Sequence, residues 1–131
     1  DTSQINQKVL VAVLNSTLFF WFWELFSDVW QITAKDLHNF QFNIDSLQST
    51  NQRQLVNLCD QLIADLEKKK VYVGTKQTEY EYYHRLSKAI IDKIDSVLAQ
   101  HYGFTDEESD FIINYDIKYR MSSENEADAE E

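Results

Sequence analysis

The chain has 131 residues, 44% apolar and 14% aromatic, which is room for one domain or two small subdomains and enough apolar mass to exclude global disorder. It has no proline and only two glycines, Gly74 and Gly103, so the turn formers that β-sandwiches and barrels need are missing. Of its net charge of −10, residues 121–131 supply five acids and no base, and the remaining −5 argues against broad nonspecific binding to phosphate backbones. The expected fold class is mainly α: a helical bundle of about four helices with short strand-like segments.

The first element is expected over residues 4–26 as one long helix. Leu10, Leu14, Leu18, Phe22 and Leu25 recur at helical steps. Most of its other positions are apolar too, which predicts burial on several faces. The run is near the lower limit for a membrane span, but Asn15, Ser16, Thr17 and Glu24 interrupt it and no basic loop flanks it. The expectation is therefore an aromatic helix packed against a partner domain, with no membrane. Inside such a helix the Asn15-Ser16-Thr17 sequon carries no meaning as a glycosylation signal.

Thr33 and Asp36 have capping-box spacing for a brief helix through Asn39. Phe40 and Phe42 alternate with polar residues as in a short half-buried strand. Ser49, Thr50 or Asn51 is expected to cap a second long helix. Its stripe of Leu55, Leu58, Cys59, Leu62, Ile63 and Leu66 suits packing on one partner, in the manner of a coiled coil. Lys68, Lys69 and Lys70 suit its C-terminal end. A strand-like Val71-Tyr72-Val73 closed by Gly74 follows, and the tyrosine-rich stretch 75–84 gives no clear pattern. Ser87 is the expected cap of a third helix that buries Ile90, Ile91, Ile94, Val97 and Leu98, with Gly103 as its left-handed stop. Thr105 and Glu108 form a second capping box that opens a short fourth helix through Ile113. Residues 121–131 read as a disordered acidic tail.

Catalytic constellations are missing from the sequence. His38, His84 and His101 are scattered, with no cysteine or histidine at metal-ligand spacing, so no metal site is expected. Two isolated glycines cannot build a phosphate-cradling loop. Asp106, Glu107, Glu108 and Asp110 read as helix-start charge, and Asp92 and Asp95 as solvated acids on one helical turn. Cys59 lies among apolar positions as a buried structural thiol, and a single cysteine fits a reducing cytoplasm. The basic cluster Lys68-Lys69-Lys70, with Lys76 and tyrosines 72, 80, 82 and 83, has two readings. It can contact phosphates and stack on bases, or it is a helix end with snorkelling lysines.

Two segments carry a resemblance. Leu14-Asn15-Ser16-Thr17-Leu18-Phe19-Phe20-Trp21-Phe22, followed by Ile32-Thr33-Ala34-Lys35-Asp36-Leu37-His38-Asn39-Phe40, resembles the closing part of a target-recognition domain of adenine-specific DNA methyltransferases and type I specificity subunits. The second segment runs from Ile91 through Tyr102-Gly103-Phe104 to Tyr115-Asp116-Ile117-Lys118-Tyr119-Arg120. It resembles the extreme C-terminus of type IIG-like restriction–modification methyltransferases. The matching positions are Asn15, Ser16, Asp95, Tyr102, Gly103, Tyr115, Asp116, Lys118, Tyr119 and Arg120.

The resemblance implies a C-terminal fragment of a longer chain, in keeping with a start at Asp1. The parent would transfer a methyl group from S-adenosylmethionine to adenine in double-stranded DNA, which requires the base to be extruded. Some such proteins also cleave DNA. The family's Asn-Pro-Pro-Tyr/Phe motif is missing here, since the chain has no proline, and so is its glycine-rich cofactor motif. This segment is thus expected to bind no cofactor itself. The implied division is 1–45, the end of a target-recognition domain; 46–70, a helical spacer acting as a strut; 71–120, a C-terminal helical element; and 121–131, the tail. Lys35, Lys68, Lys69, Lys70 and Lys76 are the phosphate-contact candidates. Expected partners are the methyltransferase domain of the same chain and, through the aromatic helix, a second copy. The alternatives are a helical protein–protein interaction module and a membrane-associated helical protein, with a stand-alone enzyme last.

Overall fold

Ser16 breaks the long apolar run into two helices, α1 (Thr2–Asn15) and α2 (Thr17–Phe26), bent by 64°. Its extended backbone leaves the helix, and its Oγ accepts from the Phe19 N–H at 3.1 Å while donating to the Val13 carbonyl at 2.6 Å. Serine competes with the helical ladder in this way. The expected single helix over residues 4–26 is corrected, and so is its stripe, because a 3.6-residue period does not carry across a break. Val9, Ala12, Val13, Leu18 and Phe19 are buried, whereas Leu10, Leu14 and Leu25 are 43%, 36% and 56% exposed. Among the described residues burial on several faces holds for α2, where Thr17, Leu18 and Phe19 are buried and residues 20–24 half-buried, but not for α1, whose Leu10, Val11 and Leu14 side is exposed.

The computed structural model describes residues 2–27, 33–75 and 78–120, of Tyr119 and Arg120 the backbone alone; Lys76 and the expected acidic tail at 121–131 lie outside the described residues. The helix α3 (Ala34–Asn39) starts at the Thr33–Asp36 capping box, as expected. Phe40 and Phe42 belong to no strand. The Phe40 N–H closes α3 on the Asp36 carbonyl, its ring meets Phe19 edge-on at 5.2 Å, and Phe42 packs on His101. The alternation thus serves ring packing on helices. A 3-10 turn, Ile44–Ser46, capped by the Asn43 side chain, leads to α4 (Ser49–Lys69).

The expected caps of α4 are corrected too. Gln48 stands at the N-cap without a side-chain bond, Ser49 and Thr50 lie inside the first turn, and Asn51 is buried there. Leu55, Leu58, Cys59 and Leu62 are buried, between α1 on one side and α5 (Lys88–Tyr102) on the other. A helix with two partners needs a wider apolar face than a coiled-coil seam. Ile63, expected in the stripe, is 49% exposed.

Strands β1 (Val71–Tyr72) and β2 (Tyr80–Glu81) pair antiparallel, with Val71 opposite Glu81 and Tyr72 opposite Tyr80. Gly74 takes the positive φ of 64° that the chain needs on leaving β1. A 3-10 turn, His84–Ser87, enters α5, which buries Ile91, Ile94, Val97 and Leu98. Gly103, at φ 71°, ends α5 as expected, with the Phe104 N–H on the Ala99 carbonyl at 2.9 Å. The Thr105–Glu108 capping box opens α6 (Asp106–Tyr115), and a π turn, Asp116–Arg120, continues it.

The architecture is mainly α, with one core drawn from α1, α2, α4, α5 and α6. No single helix among the described residues is long and apolar enough to cross a membrane; α1 and α2 reach that length and composition only together, across their bend. The placement of α4 gives a sharp expectation for two adjacent positions. Leu62→Ala should cost about 2–5 kcal/mol by opening a cavity between three helices. Ile63→Ala should stay within about 0.5 kcal/mol. Urea unfolding of both variants checks this, and equal losses would contradict the face assigned to α4.

Candidate functional site

The two segments that carry the resemblance, one to the close of a target-recognition domain and one to a methyltransferase C-terminus, meet at the start of α2. A helix N-terminus leaves four N–H groups without intrahelical partners, and here that end is buried, with Ser16 and Thr17 fully enclosed. The Ser16 hydroxyl takes the Phe19 N–H. Asp95 of α5, 77 residues away in sequence, takes the Leu18 N–H on Oδ1 at 3.1 Å. A carboxylate is favoured there by the helix dipole as well. Asp95 is only 4% exposed, which corrects its reading as a solvated acid. Its signal was present in the sequence: it stands alone among Ile91, Ile94 and Leu98 on the buried face of α5.

The other motif residues surround this junction. Asn15 Nδ2 donates to the Val11 carbonyl at 2.7 Å, and its Oδ1 lies 3.1 Å from His84 Nε2. The Tyr115 ring stands 6.0 Å from Phe20 of α2. Asp116 is fully buried, 3.7 Å from Lys88 Nζ, and Lys88 also reaches Asp92 and the Ile113 carbonyl. That cation ties the start of α5 to the end of α6. Tyr102 donates to the Gln41 carbonyl at 2.9 Å and stacks on Phe104 across Gly103, and its burial pushes the phenol pKa up. Lys118 is exposed, and Tyr119 and Arg120 lie in the π turn.

The lysine candidates are gathered only in part. Lys68, Lys69 and Lys70 sit together at the end of α4, and Lys35 is exposed on α3. Lys69 pairs with Asp65 at 3.0 Å and donates to the Leu86 carbonyl at 2.7 Å. Lys70 pairs with Glu67 at 2.8 Å and lies 4.1 Å over the Tyr80 ring. The hydrogen bond to Glu67 holds the Lys70 pKa above its ordinary value, and the same bond holds Glu67 below its own. Ser87 stands at the expected cap position of α5 but donates instead to Asp65 at 2.7 Å. That bond, then the one from Lys69, holds Asp65 below the usual carboxylate range. Exposed pairs of this kind are weak, so a polyanion can replace their acids. Tyr72 and Tyr80 form an exposed edge-to-face pair beside them, 5.6 Å apart.

Among the described residues no group of three or more His, Cys, Asp or Glu side chains could hold a metal ion. Cys59 is buried, and that burial raises its thiol pKa, which keeps it a poor nucleophile. No family model, curated protein or solved structure matches the chain.

The junction has a direct mutational consequence. Asp95→Ala strands the buried Leu18 N–H and should cost about 1–3 kcal/mol, whereas Asp95→Asn keeps an acceptor and should cost less. Thermal and urea unfolding measure both. An Asp95→Ala variant as stable as wild type would remove Asp95 from the cap.

Proposed function

We propose that this chain is the C-terminal recognition-and-spacer segment of a restriction–modification adenine-specific DNA methyltransferase. One observation supports the reading above the others: the segment that resembles the close of a target-recognition domain and the one that resembles the family's C-terminus, far apart in sequence, pack on each other through Ser16, Asp95 and the Leu18 N–H. A shared resemblance concentrated at one buried junction is what a common scaffold would produce. The segment supplies scaffold, and the parent chain supplies the S-adenosylmethionine site and the chemistry, acting on double-stranded DNA in the cytoplasm. The exposed side of α1, with Leu10, Val11 and Leu14, faces the methyltransferase domain of the same chain. Lys35, Lys68, Lys69, Lys70 and Lys76 are candidates for phosphate contacts.

That same apolar side of α1 favours the second reading, a helical protein–protein interaction module without DNA. Expression of the longer parent chain in a methylation-free host separates the two. The first reading expects adenine methylation at a defined motif, lost or stripped of its sequence preference when the region of residues 1–120 is deleted. No methylation from the intact parent would leave the interaction module.

A further inference from the structure

The α4 and α5 helices run antiparallel: Ser87 meets Asp65 at one end of the pair, and Gln100 shares a cavity with Gln54 at the other. Their exposed seam is a polar groove. Gln54, Asn57 and Gln61 line it from α4, and Lys93, Ser96 and Gln100 from α5, over a floor of Leu58 and Val97. Each set has the i, i+3, i+7 spacing of one helical face. The cavity holds about 370 Å³ and continues past Gln100 into a second of about 530 Å³ beside Gln48, Asn51 and His101. From Gln48 to Gln61 the helix rises ~20 Å. That length spans about six phosphates of one strand.

Its charge sets this groove apart from the rest of an acidic chain. Among the described residues no carboxylate lines either cavity. Of the acids near it in sequence, Asp60 pairs with Lys8, Asp65 with Lys69 and Asp92 with Lys88, and Asp95 is turned into the core onto the Leu18 N–H. Lys93 makes no ion pair among the described residues and is exposed. A polyanion approaches an acidic protein at least cost along such a strip. Side-chain amides, a hydroxyl and a free ammonium are the groups that contact phosphates and base edges on duplex DNA.

We infer that the α4–α5 groove is a DNA-contacting surface. Lys93 and Ser96 meet phosphates, and the amides of Gln54, Asn57, Gln61 and Gln100 meet phosphates or base edges. The inference rests on the recognition-segment reading and deepens it, because the spacer helix then touches DNA itself.

Fluorescence anisotropy of the 131-residue chain with a labelled mixed-sequence duplex of about 20 base pairs tests it. The near-isosteric variant Asn57→Asp/Gln61→Glu/Gln100→Glu, at exposed positions, should bind at least about tenfold more weakly, and Lys93→Ala should lower the salt slope by about one. Gln61→Lys should tighten binding, which keeps the groove testable if the triple variant loses its helical circular dichroism. Variants that bind like wild type, while Lys68→Ala/Lys69→Ala/Lys70→Ala weakens binding, would move the contact to the end of α4 and overturn the groove. A wild-type chain that binds no duplex also overturns it; methylation by the parent chain then decides the recognition reading separately.

Discussion

The buried N-terminus of α2 is the constraint around which the other helices are arranged. Its first N–H groups cannot reach water, and each one left unpaired would cost about 1–3 kcal/mol. Ser16 answers one from within the chain, and Asp95 answers another from α5. The second bond fixes where α5 lies relative to α2, and the 64° bend lets α1 lie along α4 while α2 turns toward α5 and α6. The aromatic contacts of Phe19 with Phe40 and of Phe20 with Tyr115 then fill the space the turn creates. Lys88 and Asp116 make a second tie of the same kind between α5 and the π turn.

Signals confined to one turn were readable in the sequence. The capping boxes at Thr33 and Thr105, the left-handed Gly103 and the apolar faces of α4 and α5 depend on residues three or four apart, and apart from Ile63 at the edge of the α4 stripe they stand where the pattern puts them. The errors came where a distant partner decides. Ser16 interrupts a run that is apolar on both sides, and only its bond to Phe19 and the tertiary acceptor at Leu18 turn it into a break. Phe40 and Phe42 alternate like a strand but have helix rings to pack on instead. Ser49 and Ser87 are good caps by type, yet Ser49 is already the first residue of α4, with Gln48 at the N-cap, and Ser87 is drawn to Asp65.

The site was legible in a different way. The motif residues Asn15, Ser16 and Asp95 were singled out by resemblance, and their meeting could not be read from spacing, since it spans 77 residues. The lysines at the end of α4 were visible as a run, but their pairing with Asp65 and Glu67 was not. The amide groove was missed altogether, because Gln and Asn on an exposed helical face look like ordinary solvated surface until a second helix lays a matching row beside them. On the proposed reading, local ion pairs absorb acids along α4 and α5 and leave this seam open to a polyanion.

The most direct measurement is amide hydrogen exchange followed residue by residue. N-terminal amides of a surface helix exchange fast, because nothing within the helix holds them. The present account puts the Leu18 and Phe19 amides among the slowest in the chain, exchanging with the Ile94 and Leu98 amides of the α5 core through global unfolding alone. Rapid exchange at Leu18 under conditions where Ile94 stays protected would contradict a buried cap by Asp95, and with it the junction that joins the two halves of the fold.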